Sequence, residues 1–144
     1  MPHDVYENPL ITRYASRLMA GLWSAQRKFS TWRRMWVALA EAEQQLGLAI
    51  TDEQLNAMRA NVDNIDFAAA AAYEKQFRHD VMAHNHAFGD AAPAARGIVH
   101  LGAPSCFVTD NTDLILLREA LEIIARRLAT VIDQLGRFSK AHRD

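Results

Sequence analysis

The sequence predicts an all-α protein, on three observations. Ala, Leu and Arg, all good helix formers, are the commonest residues, with Glu and Gln beside them. No stretch alternates apolar and polar residues for the length of a strand. Apolar residues instead recur at three- and four-residue steps. The expected architecture is an N-terminal helical domain over residues 1–108. At 109–144 it is followed by the first long helix of a truncated helical bundle.

Composition narrows the function classes. The chain has 144 residues, with 16 Lys and Arg against 17 Asp and Glu, a formal charge of −1. That balance argues against a basic nucleic-acid surface, so no nucleic-acid partner is expected. Half the residues are hydrophobic and 23% are charged, which argues against disorder. Cys106 is the single cysteine. An internal disulfide is therefore excluded, and a reducing compartment, the cytoplasm, is expected. No apolar run approaches the roughly 18–20 residues of a membrane span. The N-terminus, MPHDVYENPL, lacks the cationic start and apolar core of a secretory leader.

Each element has its own signal. A long helix is expected over about Ser24–Leu46, with Phe29, Trp32, Trp36, Leu39 and Leu46 as its apolar stripe and Gly47 as terminator. Thr51 with Gln54 makes a capping box, opening a short helix through Ala60. Asp63 or Asp66 caps the next helix, which carries the alanine run 68–72. That helix leads into Arg78-His79-Asp80, and helical sequence resumes through Phe88 to stop before Gly89.

From Thr112 the positions Leu114, Leu117, Leu121, Ile124, Leu128, Val131, Leu135 and Phe138 alternate steps of three and four, a sustained heptad. The helix over Thr112–Phe138 would be roughly 40 Å long. Thr109, Asp110, Asn111 and Thr112 are its expected caps. Ile115, Ile123 and Ile132 widen the apolar surface, which suits a multi-helix bundle better than a two-stranded coil. Such a surface is expected to self-associate.

The chemistry-bearing residues form three groups. His79, His84 and His86 fall close together. On a helix, however, five residues turn through about 500°, so the first two rings point some 140° apart. A zinc-protease helix needs histidines four apart, and no metal is expected. Arg78-His79-Asp80 combines a fork for an anion, a proton-moving or donating ring and an orienting carboxylate. Adjacent helical residues diverge by about 100°, so the three converge only at a helix end or break. Gly102-Ala103-Pro104-Ser105 is a loop that can hold an anion through backbone N–H groups and the Ser105 hydroxyl. Arg13-Tyr14 pairs a phosphate-binding fork with a stacking ring.

Several motifs in order carry a resemblance. They are Arg13-Tyr14-Ala15-Ser16, Thr31-Trp32-Arg33, Leu39-Ala40-Glu41-Ala42-Glu43, Arg78 to His84, His100-Leu101-Gly102-Ala103 with Ser105, and Asp110 to Leu114. From about Asn8 onward the chain resembles the N-terminal portion of the adenylosuccinate lyases, of the fumarase–aspartase superfamily. The resemblance implies all-α homotetramers that cleave adenylosuccinate to AMP and fumarate, and SAICAR to AICAR and fumarate. It also implies active sites shared between subunits and no metal or organic cofactor.

By this resemblance Arg13 and Tyr14 bind the nucleotide part of the substrate. Arg78, His79 and Asp80 form a substrate-binding segment, His79 also assisting the chemistry. Ser105 holds substrate through its hydroxyl. Where the family usually has threonine this chain has Pro104, which removes a hydroxyl and a backbone N–H. The family's later general-acid histidine and its serine-containing base loop have no counterpart in these residues. The chain alone is therefore expected to be inactive. Two other readings are a further superfamily lyase and a helical interaction module whose working surface is the Leu114–Phe138 seam.

Overall fold

The computed structural model describes residues 8–143. The expectation about a leader falls on residues that lie mostly outside it. Among the described residues the regular structure is helical, with no strand. The α-helices are α1 (Arg17–Leu22), α2 (Ala25–Gln45), α3 (Asp52–Ala60), α4 (Phe67–Phe77), α5 (Asp80–Ala91) and α6 (Cys106–Ala141). A π-helical turn, Leu10–Tyr14, precedes α1, and a 3₁₀ turn, Pro93–Ala95, follows α5. No helix among the described residues is long and apolar enough to cross a membrane.

By contacts the chain forms two compact units. One is Ser24–Asp113; the other joins the residues up to Trp23 with the stretch from Leu114. In Ser24–Asp113, α4 packs on α5, and α3 packs on α2 and on the 3₁₀ turn. Side-chain caps set the starts of these helices. Ser24 accepts from the Arg27 N–H and Asp66 from the Ala69 N–H. Thr51 and Gln54 form both arms of the capping box. Trp32, Trp36, Leu55, Met58, Val81, Phe88 and Val108 fill the interior.

The α2 stripe differs from its expectation at one end. Leu46 is 82% exposed, because α2 closes at Gln45 and Gly47 turns the chain away at φ 93°. Val37 and Ala40 are buried instead. Arg33 is buried as well. Its guanidinium donates to the carbonyls of Asn61 and Asn64, both at 2.6 Å, and lies 4.5 Å from the centre of the Phe88 ring. Burial is the main cause that lowers its pKa to about 10, against the favourable charge of Asp63.

Gly89 does not end α5, which continues to Ala91. A Cβ there would stand 3.0 Å from Arg96 Cγ, so the glycine admits a side chain from the following turn. The helix α6 begins six residues before Thr112. Thr109, Asp110, Asn111 and Thr112 therefore lie inside its first turns and are not its caps. Asn111 donates to the Phe107 carbonyl at 2.7 Å, and Thr112 is fully buried.

In the other unit Leu22, Leu116 and Ala120 form a small core with Met19 and Ile123 against it. The eight heptad positions from Leu114 to Phe138 lie on the remaining faces of α6, each 48–65% exposed. With 36 residues, α6 is about 54 Å long.

Candidate functional site

Arg78, His79 and Asp80 lie consecutively at the break between α4 and α5, the kind of helix end at which three adjacent residues can converge. Arg78 closes α4 in the left-handed conformation, φ 52°, and its N–H donates to the Glu74 carbonyl. His79 is extended and caps α5, its Nδ1 facing the Met82 N–H at 3.4 Å. Asp80 opens α5; its Oδ1 accepts from the Val81 N–H at 2.8 Å and stands 3.8 Å from His79 Nδ1. A carboxylate and a lone pair at a helix N-terminus satisfy its orphan donors. All three side chains are largely exposed, and Arg78 borders an open depression of about 500 Å³ with Ala71, Glu74 and Lys75.

The last turn of α4 is clamped just before this break. Phe77 stacks on His86 at 4.7 Å, and Tyr73 stacks on Phe77 at 5.8 Å. The Tyr73 hydroxyl donates to Asp90 Oδ2 at 2.8 Å, and Arg96 pairs with Asp90 Oδ1. The hydrogen bonds from Tyr73 and Arg96 hold the Asp90 carboxyl below its ordinary pKa; the bond to Asp90 raises that of Tyr73.

The three clustered histidines have different surroundings. His79 caps a helix, and His86 stacks on Phe77. His84 is buried with its ring 3.5 Å from that of Phe29. Among the described residues no three His, Cys, Asp or Glu side chains gather as a metal-holding group.

In the same unit the loop from Val99 to Ser105 leads into α6. Two of its residues are left-handed, His100 at φ 63° and Gly102 at φ 65°. His100 Nδ1 accepts from the indole N–H of Trp36 at 3.0 Å. Burial, and then the charge of His79, hold His100 below the ordinary histidine pKa. Glu43 approaches Gly102: a Cβ there would lie 3.8 Å from Glu43 Oε1. Glu43 Oε2 is buried without a hydrogen-bond partner among the described residues, and burial raises the pKa of this carboxyl.

Ser105 stands directly before α6. It is exposed, and its carbonyl accepts from Val108 and Thr109. Pro104 costs this helix start little, since an N–H there has no intrahelical partner to lose. Arg13 and Tyr14 lie on the π-helical turn of the other unit, and Tyr14 is 74% exposed. In the sequence, His100 stands in the His100-Leu101-Gly102-Ala103 motif with no role of its own. Its left-handed backbone has no signal in residue type, and Trp36 reads simply as core.

No family model matches the chain. Curated relatives do. The chain is 50% identical to adenylosuccinate lyase of Saccharomyces cerevisiae over 145 residues, covering 99% of this chain and 30% of that protein. With adenylosuccinate lyase of Schistosoma mansoni it shares 49% over 140 residues, covering 97% and 29%. With that of Bacillus subtilis it shares 30% over 134 residues, covering 93% and 31%. The chain thus spans about three tenths of the length of the curated relatives it matches.

Proposed function

Because the chain belongs with the adenylosuccinate lyases as a match to their N-terminal portion, we propose that it supplies part of a substrate site for adenylosuccinate and SAICAR. The parent reaction eliminates fumarate, leaving AMP or AICAR. The observation that carries this reading is the helix break at Arg78-His79-Asp80, which puts an anion fork, an imidazole and a carboxylate on three consecutive exposed residues. A dianionic succinyl group is the kind of ligand such a cluster suits.

The roles follow from the chemistry. Arg78 and His79 donate to anionic oxygens, and His79 assists by contacting the substrate. Asp80 sits beside the His79 ring, its Oδ1 3.8 Å from Nδ1, and adds a negative charge there. Ser105 adds a hydroxyl. Arg13 and Tyr14 take the nucleotide part, through the fork of one and the ring of the other. Elimination also needs a base for the proton beside a carboxylate and an acid for the departing nitrogen. Those two groups belong to residues outside this chain.

The exposed heptad of α6 supports self-association, with a homotetramer as the parent assembly. It also supports reading 109–144 as the start of a central bundle, although α6 itself runs through 108/109 from Cys106 and the compact units divide at 113/114. The lone Cys106 supports a cytoplasmic location. No cofactor enters the scheme.

Calorimetric titration with adenylosuccinate tests the site. Binding by the chain, weakened at least tenfold in His79→Ala and in Arg78→Ala with the fold retained, is the expected result. Equal affinity in wild type and both variants removes the break from the substrate site.

A further inference from the structure

His100 adopts a backbone conformation that side chains avoid, so its surroundings must hold it there. Its side chain meets Trp36. This indole is 1% exposed, is stacked at 6.0 Å on Phe88, and meets the His100 ring edge-on at 5.9 Å. Its Nε1–H donates to His100 Nδ1 at 3.0 Å. An indole nitrogen can only donate. His100 Nδ1 must therefore present a lone pair, and the proton of the neutral ring is on Nε2.

His79 repeats the pattern by another route. Its Nδ1 faces the Met82 N–H as a helix cap, which leaves Nε2 as the protonated nitrogen of its neutral ring. Both residues belong to the Ser24–Asp113 unit.

We propose that Trp36 is a positioning residue of the candidate site: its buried indole N–H fixes His100 in the Nε2–H tautomer, so that His100, like His79, offers the ligand an N–H donor. The consequence is chemical. At Nε2 the ring supplies a hydrogen bond to an acceptor oxygen and has no lone pair with which to take a proton. The role toward a ligand rests on the substrate-site reading above; the tautomer does not, and it is measurable without ligand or turnover.

The test is long-range proton–nitrogen correlation NMR of the chain with ¹⁵N-labelled histidine at neutral pH, with His100→Gln identifying the His100 signals. In wild type, Nδ1 should resonate as an unprotonated nitrogen and Nε2 as a protonated one. Trp36→Phe keeps an aromatic ring in the core and removes the donor. It should bring the two nitrogen shifts together as the Nδ1–H form gains population. A protonated Nδ1 in wild type overturns the proposal, whatever the variant does. So does a folded Trp36→Phe chain with unchanged nitrogen shifts. If Trp36→Phe does not fold, the wild-type spectrum decides alone. Loss of substrate binding with the wild-type tautomer intact would count against the substrate-site reading and leave the role of Trp36 standing.

Discussion

His84 is 5% exposed, stacked on Phe29 and edge-on to Trp32, with an Nδ1 that has no partner among the described residues. Burial first, then the charge of Arg33, lower its pKa to about 4; Asp80 opposes this and Lys28 adds to it. An unfolded histidine takes up its proton near pH 6.5. Between pH 6.5 and 4 the unfolded chain thus binds a proton that the folded chain refuses. Stability is complete above that window and falls as the pH drops through it, by about 2–3 kcal/mol. Urea unfolding at pH 7.5 and pH 4.5 measures the loss, and His84→Leu should remove most of it. An equal loss in the variant would place the acid sensitivity elsewhere. Nothing in the spacing of His79, His84 and His86 distinguishes this buried ring from its neighbours. Its burial is decided by Phe29 and Trp32, which arrive from α2.

At the scale of elements, the heptad of α6 was legible as an unbroken periodicity, and the structure keeps it on one continuous helix. The start of that helix was not legible. Thr109, Asp110, Asn111 and Thr112 all look like caps, yet the chain is already helical from Cys106 and Thr112 turns inward. Polar residues with cap propensity are tolerated inside a helix when they bond back to the preceding turn, as Asn111 does. The seam itself carries the prediction for this scale. Each fully buried Leu, Ile, Val or Phe contributes roughly 1.5–3 kcal/mol, and eight are exposed in series here. The Ile124→Asp, Leu128→Asp double variant should sediment as a monomer at micromolar concentration where the wild type associates. A well-folded wild-type monomer under those conditions would dispose of the seam as a self-association surface.

For the whole molecule, the order of several separated motifs was more informative than any one of them, and the match to the relatives runs across nearly the full chain. Which side chains meet was less accessible. The helix break could be stated as a condition on Arg78-His79-Asp80, but the aromatic stack of Tyr73, Phe77 and His86 beside it could not be read from spacing. Arg13 and Tyr14, adjacent to nothing periodic, gave no sign of the unit they would join. On the proposed reading, in which this chain carries neither the acid nor the base, it should release no measurable fumarate from adenylosuccinate. General acid–base groups contribute about 10²–10⁴-fold each. Following fumarate in a coupled assay with purified chain checks this, and clear turnover would mean that these residues contain an acid–base pair after all.

The two left-handed side-chain positions have a consequence for anyone wishing to make this protein sturdier. At Arg78 and His100 the backbone asks for glycine, and a stabilisation scheme that scores conformation alone would grant it at both. Each exchange would relieve strain, and each would also delete a charged or hydrogen-bonding group from the candidate site. A library selected only for heat resistance should drift toward glycine at these positions, and one selected for ligand recognition should hold on to the arginine and the histidine. The strain at 78 and 100 therefore marks where durability and recognition pull the sequence in opposite directions.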